Sequence, residues 1–193
     1  MHGEKGALMV YNLEDLKKAY SEGEHFKFLF FWGHTPAADG HINEACFSQW
    51  WKCSFRVDDV EYSCAEQFMM AEKARMFGDE AMLAEIMKAS HPKEMKAFGR
   101  AVSGFDKEVW DRACYEIVKR GNMAKFSQNP ELLNFLLGTN KRILVEASPR
   151  DRIWGIGMGR TNPDAECPLK WRGTNLLGFA LTEVRDKLLE KEE

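Results

Sequence analysis

The chain has 193 residues, of which 45% are hydrophobic and 30% are charged, a composition that predicts one folded domain with a substantial apolar core. Its formal net charge of −3 argues against a broad electrostatic grip on nucleic acid or anionic lipid, and leaves local recognition of a phosphate open. The apolar runs at 27–32 and 132–137 are too short to cross a bilayer, which needs ~20 residues. The first residues lack the layout of a signal peptide, so we expect a cytoplasmic protein with no membrane partner.

The chain contains five cysteines and no Cys-x-x-Cys pair, which favours reduced thiols over a disulfide framework. His34, His41, Cys46 and Cys53 lie close in sequence and raise the possibility of zinc. Their spacing matches no structural zinc pattern, so we expect no metal site.

The predicted elements of the first half come from capping residues and turn signals. In chain order they are a helix capped by Asn12 and ended near Gly23, a buried strand at 26–32, a loop at 34–41 and a hairpin at 55–62 around an Asp-Asp turn. Ser63 and Glu66 have the spacing of a capping box, which predicts a helix that runs to Phe77 and stops at Gly78.

The second half is mainly helical. Its predicted elements are a helix capped by Asp79, one opened by Pro92, a longer one capped by Asp106, a short one from Asn129 to Gly138, a strand at 142–145, a Gly-rich loop at 151–161 and a final helix at 175–189. Residues 155–159 lack the full dinucleotide-binding pattern, because position 160 is arginine. The sequence therefore predicts an α+β fold, predominantly α-helical, with five or six helices and a small antiparallel sheet.

Glu66 and Lys73 carry the most informative pattern. They are seven residues apart, so on a helix they share one face at ~10.5 Å of axial rise. Both long side chains can then serve one pocket, where a nearby carboxylate would favour the charged lysine and a dry environment the neutral, nucleophilic one. The alternative is structural, with Glu66 completing a capping box and Lys73 solvated.

A second polar cluster follows the predicted strand at 142–145. Asp151, Trp154 and Gly155 combine a carboxylate, a stacking surface and a flexible backbone, which is typical of a site for a sugar or a base. The alternative is a loop in which Asp151 makes a local turn bond and Trp154 fills the core. His34 is a candidate proton carrier, and Arg100 a candidate phosphate ligand.

Taken together, these segments resemble the NADAR, or YbiA-like, family from about residue 28 to residue 189. The motifs are Phe47-Ser48-Gln49-Trp50, Ala65-Glu66-Gln67-Phe68 with Lys73, Phe98-Gly99-Arg100, Trp110, Met123 with Lys125-Phe126, Leu144-Val145-Glu146, Asp151-x-x-Trp154-Gly155-x-Gly157 and Asn175-Leu176-Leu177-Gly178. Residues 1–27 then form an N-terminal helical extension of a single domain.

The resemblance implies N-glycosidase activity without a cofactor. Family members cleave the ribosyl C–N bond of phosphorylated riboflavin intermediates, and others remove ADP-ribose from guanine bases. Carried over by motif, Glu66, Lys73 and Asp151 are the expected catalytic residues. The expected substrate-binding residues are Trp32, Gly33, His34, Ser48, Arg100, Trp110, Trp154 and Gly155.

The resemblance implies a small ribosylamine phosphate or an ADP-ribose conjugate as partner, with nucleic acid only as a modified substrate. A basic groove beside the pocket would favour ADP-ribosylated nucleic acid as the substrate. The candidate residues for such a groove are Lys119, Arg120, Lys125, Lys141, Arg142, Arg150 and Arg152. An alternative of another class is a non-enzymatic module that binds ADP-ribose or a nucleotide. Gln49-Trp50 replaces the usual Asn-Phe, and Met69-Met70 replaces a pair that often contains Gln, so the leaving base is the open point.

Overall fold

The computed structural model describes residues 9–190, so residues 1–8 of the predicted N-terminal extension lie outside the described residues. Seven α-helices form within that range: α1 Leu13–Ser21, α2 Ala65–Met76, α3 Glu80–Lys88, α4 Pro92–Arg100, α5 Lys107–Ser127, α6 Pro130–Leu137 and α7 Leu176–Leu189. The strands are β1 Phe28–Phe31, β2 Phe55–Val57, β3 Val60–Tyr62 and β4 Ile143–Glu146, and short 3-10 helices lie at Glu44–Phe47 and Pro168–Lys170.

The described chain forms two compact units. The helical unit comprises residues 31–140 and 184–190, and the mixed unit comprises residues 9–30 and 141–183. β1 pairs with β4 in one two-stranded sheet, and β2 pairs with β3 in another. The predicted single-domain organisation stays a prediction.

The helical unit is organised around α2, which packs against α3, α4 and α5. Seven consecutive residues, 65–71, are buried, so this helix is enclosed on all sides over its first two turns. Two glycines permit the close packing. A Cβ on Gly121 of α5 would lie 2.5 Å from the ring of Phe68, and one on Gly99 of α4 would lie 2.0 Å from the sulfur of Met70.

The antiparallel hairpin β2–β3 leads directly into α2. Phe55 pairs with Tyr62 and Val57 with Val60 across a turn whose two aspartates have positive φ angles. The hairpin was predicted from its alternation and its turn, and the structure confirms it.

The predicted capping box of Ser63 and Glu66 is wrong. The N-cap of α2 is Cys64, and the Oε1 atom of Gln67 accepts hydrogen bonds from the backbone N–H of Ser63 (2.8 Å) and from its hydroxyl (3.0 Å). Gln67 also donates to the carbonyl of Ile86 at 3.1 Å. The side chain that accepts from the N–H of Ser63 is therefore that of Gln67. Glu66 does not have the capping role that the sequence suggested.

In the mixed unit, Asn175 connects β4 to the start of α7. It is fully buried at a positive φ of 55°, its Oδ1 atom accepts from the N–H of Glu146 (2.9 Å), and its Nδ2 atom donates to the carbonyl of Leu144 (3.0 Å). A Cβ on Gly178 would lie 2.1 Å from that same carbonyl. The Asn-Leu-Leu-Gly segment is therefore required by packing.

The predominantly helical α+β fold with a small antiparallel sheet is confirmed. The predicted caps Asn12, Asp79 and Asp106 each accept a backbone hydrogen bond at the start of their helices. The caps and stops mark seven helical segments and all seven form within residues 9–190, so the expected total of five or six helices was too low. No helix within residues 9–190 has the length and apolarity needed to cross a membrane.

We expect Gly121→Ala to lower the free energy of unfolding by about 1–3 kcal/mol, because the new methyl group would clash with the buried ring of Phe68. Gly99→Ala should cost less, since it meets the flexible end of Met70. Gly159→Ala, whose nearest neighbour is at 3.8 Å, is the control and should change stability by less than ~0.5 kcal/mol. Chemical denaturation measures all three, and equal effects would contradict the proposed packing constraint.

Candidate active site

Lys73 lies against two aromatic rings in the helical unit. Its half-buried side chain places Nζ 4.1 Å from the ring centroid of Phe105 and 5.6 Å from that of Trp110. Trp110 is buried, whereas Phe105 is 44% exposed and packs against Phe77 with ring centroids 5.4 Å apart. The amine therefore lies at a partly open aromatic surface.

Burial lowers the pKa of the Lys73 amine below its usual value, and the positive charge of Arg100 lowers this pKa further. Both effects favour the neutral amine, which is the nucleophilic form. The sequence left open whether desolvation or a neighbouring carboxylate has the larger effect on the pKa of Lys73. The structure favours desolvation. Arg100 itself is exposed at the end of α4, where it can meet an anion.

Glu66 is 5% exposed and occupies the first turn of α2. Its backbone N–H donates to the carbonyl of Gln49 at 2.9 Å. A carboxylate at this end of a helix is favoured by the helix dipole. The carboxyl group of Glu66 is therefore buried in the first turn of α2, and its catalytic role stays a prediction.

Two polar residues of α5 hold the segment that precedes Trp50. Asn122 and Lys125 have no exposed surface. The Lys125 amine donates to the carbonyls of Cys46 (2.6 Å) and Ser48 (2.9 Å), and Asn122 donates to the side chain of Gln49 (2.8 Å). Lys125 is therefore excluded from any basic surface groove.

Asp151 makes the local turn bonds that were considered as its structural role. Its Oδ1 atom accepts from the N–H groups of Ile153 (2.9 Å) and Trp154 (2.7 Å). Trp154 is half-buried, and Gly155 is buried where a Cβ would lie 2.8 Å from the carbonyl of Glu146. The structural requirement for Gly155 is thus steric, while Asp151 keeps a second carboxylate oxygen outside these turn bonds.

The other predicted binding residues lie near the start of the helical unit. Trp32 is 65% exposed, and Gly33 has a φ of 84° that favours glycine. The ring centroids of His34 and Trp50 lie 5.3 Å apart, and the backbone N–H of Trp50 donates to the hydroxyl of Ser48 at 3.1 Å. These contacts form a polar and aromatic segment directly before Trp51.

Within the helical unit, the structure brings Lys73, Arg100 and Trp110 together, and it joins the backbone of Glu66 to that of Gln49. Asp151, Trp154 and Gly155 belong to the mixed unit, and their participation in the same pocket stays a prediction. Sequence reasoning missed Phe105 as a neighbour of Lys73. It also missed the clamp made by Asn122 and Lys125, although polar residues on the core face of α5, in line with Cys114 and Val118, are a signal for buried hydrogen bonding.

A surface cavity of about 660 Å³ in the helical unit is bounded by the hairpin, the first turn of α2 and the segment before α4. Cys64 and Gln67 line it, and Glu66 and Lys73 do not. Within residues 9–190, no group of three or more His, Cys, Asp or Glu residues is arranged to hold a metal ion. All five cysteines lie in the described part of the chain and are free.

Comparison with known proteins identifies the family. The NADAR domain model matches residues 30–189. The chain is 41% identical to an N-glycosidase of Acanthamoeba polyphaga mimivirus over 167 residues, which cover 83% of this chain and 96% of that relative. It is 30% identical to the N-glycosidase YbiA of Escherichia coli over 151 residues, covering 78% and 84% respectively. The NMR structure of E. coli YbiA matches with a TM-score of 0.69 and 25% identity, covering 88% of this chain and 89% of that one.

The fold and the family model place this chain in a class of helical α+β hydrolases that act on N-glycosyl bonds. The chain belongs to the NADAR domain family. This confirms the predicted family and, with it, the predicted enzyme class.

We expect Arg100→Gln to raise the pKa of Lys73, because the substitution removes a repelling positive charge. At a fixed pH below that pKa, less neutral amine is present, so acylation of Lys73 should slow and its pH profile should move to higher pH. Mass spectrometry of the Lys73 peptide measures the rate. Arg75→Gln is the matched control. Arg75 lies on α2, as Lys73 does, but its guanidinium interacts with Glu72 and Tyr62. Identical profiles for wild type and Arg100→Gln would remove Arg100 from the electrostatics of Lys73.

Proposed function

We propose that this protein is an N-glycosidase that hydrolyses the ribosyl C–N bond of a phosphorylated ribosylaminopyrimidine, a riboflavin-pathway intermediate, and releases ribose 5-phosphate. The observation that carries the proposal is the environment of Lys73, an amine with a lowered pKa held against aromatic rings beside Arg100. The N-glycosidases among its relatives supply the reaction class.

The reaction begins when the ribosylamine opens, which breaks the C1′–O4′ bond and leaves an imine between C1′ and the base nitrogen. The neutral Lys73 amine attacks C1′ and forms a new C–N bond. Both protons of the lysine nitrogen move in turn to the base nitrogen, the first after the bond to Lys73 forms and the second as the bond between C1′ and the base breaks, and the free amine departs. The sugar remains on Lys73 as a Schiff base.

Water then adds to C1′, and the bond to Nζ breaks. The products are ribose 5-phosphate and the free lysine, so one water molecule is consumed for each amine released. Glu66 stabilises the positive charge that develops at C1′ and on the iminium nitrogen. No step of this route needs a metal or a redox cofactor.

Arg100 is assigned to the sugar phosphate, because an exposed guanidinium offers a planar set of donors to an anion. Trp110 and Phe105 form an aromatic surface that partly shields the Lys73 amine from water. The direct assay incubates the enzyme with ribosylaminopyrimidine phosphates and measures released ribose 5-phosphate, with and without a chelator. Turnover in both conditions is expected. Release of ADP-ribose from modified guanine oligonucleotides, without release from the small substrates, would replace this substrate by the alternative.

The basic residues of the helical unit favour the small substrate over modified nucleic acid. Lys125 is fully buried, and Arg120 forms ion pairs with Asp58 and Glu72. Neither residue presents an unengaged positive charge to a nucleic-acid backbone, on which such binding depends.

Glu66→Gln should abolish turnover and change the free energy of unfolding by less than ~1 kcal/mol. The amide keeps the shape of the side chain and removes its charge, and the hydrogen bond to the N–H of Ser63 comes from Gln67 and is left in place. Steady-state kinetics and denaturation measure the two effects. Glu72→Gln, six residues later on the same helix, is the control, and this variant should keep its activity. A folded, fully active Glu66→Gln enzyme would assign Glu66 a structural role.

Lys73 should be trapped as a sugar adduct when borohydride is added during turnover, because reduction fixes the Schiff base as a stable amine. The expected result is a mass increase on the Lys73 peptide and not on the exposed Lys88 of α3. Lys73→Arg should retain almost no activity, since a guanidinium stays protonated and cannot attack. Normal turnover without an adduct, together with an active Lys73→Arg enzyme, would make Lys73 an electrostatic residue.

Asp151 is proposed as the third catalytic residue, with support from the family motif. Asp151→Asn keeps an acceptor oxygen for the turn bonds to Ile153 and Trp154 and removes the charge. We therefore expect kcat to fall by at least 10-fold, ~1.4 kcal/mol in activation free energy, while the melting temperature changes little. A matched loss of activity and stability would instead indicate that Asp151 acts only in its turn.

A further inference from the structure

Residues 46–49 are held in place by hydrogen bonds from one face of α5. Asn122 and Lys125 are one turn apart on that helix, and neither has exposed surface. Lys125 binds the carbonyls of Cys46 and Ser48, so the backbone immediately before Gln49 is fixed at two points. Gln49 therefore leaves this segment from a rigid base.

The carboxamide of Gln49 has one orientation. Its Oε1 atom accepts from Nδ2 of Asn122 at 2.8 Å, and the same Nδ2 donates to the carbonyl of Val118 at 2.9 Å. The Asn122 amide cannot rotate by 180°, because its oxygen would then face two acceptors, Oε1 of Gln49 and the carbonyl of Val118. The Gln49 oxygen is thereby fixed on Asn122, and the Gln49 NH2 group must point away from it.

The Gln49 NH2 group is unused within the described residues, and the side chain is only half-buried. The clamp that orients it also has a cost, because Oδ1 of Asn122 is buried without a partner in the described part of the chain. A buried unpaired acceptor typically costs ~1–3 kcal/mol. Such a cost is expected where an arrangement is retained for function.

Gln49 is also adjacent to Glu66. Its backbone carbonyl accepts the N–H of Glu66 at 2.9 Å, so the oriented amide adjoins the first turn of α2. A group bound by the Gln49 NH2 therefore lies near the first turn of α2, which carries Glu66.

We propose that Gln49 selects the leaving base by donating from its NH2 group to a ring carbonyl oxygen of that base. The site then takes heterocycles of the pyrimidinone class and disfavours those that carry an amino group at the same position. An amino group would place donor against donor and leave both unpaired, which is the arrangement that gives strong discrimination in enzymes. This inference rests on the proposed function for its catalytic consequence.

The kinetic test compares two ribosylamine phosphates that differ by a carbonyl or an amino group at one ring position. Wild type should prefer the carbonyl substrate in kcat/KM by ~10- to 100-fold. Gln49→Met should lose this preference. Gln49→Glu, which replaces the donor by an acceptor while one oxygen still meets Asn122, should lose or reverse it.

Gln128→Glu is the matched control. Gln128 bonds the backbone of Arg56 through both ends of its amide, so the substitution also removes one donor to a neighbour, but outside the site. Its base preference should equal that of wild type. An unchanged preference in a folded Gln49→Met enzyme would overturn the inference and leave the proposed function standing.

A binding test separates the inference from catalysis. Free 4-pyrimidinone and 4-aminopyrimidine are added to ¹⁵N-labelled protein, and the side-chain amide signal of Gln49 is followed by NMR. Only 4-pyrimidinone should shift that signal. This result in a protein without glycosidase turnover would support the inference and reject the proposed function. An equal response to both bases, or a response to neither, would overturn the inference.

Discussion

The enclosure of α2 is the constraint on which the helical unit depends. Seven consecutive buried residues leave this helix no solvent-facing side at its start, so its polar residues must find partners within the protein. Gln67 does so through Ser63 and Ile86. The same enclosure holds the Glu66 carboxyl group in a protected environment, where a charge acts more strongly on its neighbours than in water.

Local signals predicted most of the fold, because caps and turns act over three or four residues. Asn12, Asp79 and Asp106 begin their helices as their side chains require, and the Asp-Asp turn closes the hairpin. The predicted capping box at Ser63 is wrong because the helix begins one residue later, with Cys64 as its N-cap, and Gln67 accepts from the N–H of Ser63. The choice between the registers is tertiary, since the N–H of Glu66 is bound by Gln49, which lies 17 positions earlier in the chain.

The candidate site was predictable only where helical spacing determines it. Glu66 and Lys73 were selected because their spacing places them on one face of a helix, and both do lie on α2, while their catalytic roles stay a prediction. Phe105 lies between α4 and α5 with no periodic pattern around it, and only the folding of that segment brings its ring to Lys73. Lys125 was grouped with surface cations because a sequence alone does not show that an amine has two buried carbonyls to bind.

The environment of Lys73 suits both halves of the proposed reaction. In the free enzyme, burial and Arg100 lower its pKa and so keep part of the amine neutral, as attack on C1′ requires. If Arg100 binds the substrate phosphate as proposed, the anion offsets the guanidinium charge, and the repulsion between Arg100 and Lys73 weakens. A positively charged iminium on Nζ then forms where the positive charge has been neutralised and where Phe105 and Trp110 favour a cation through their ring faces. One arginine can therefore activate the nucleophile before binding and tolerate the charged intermediate after it.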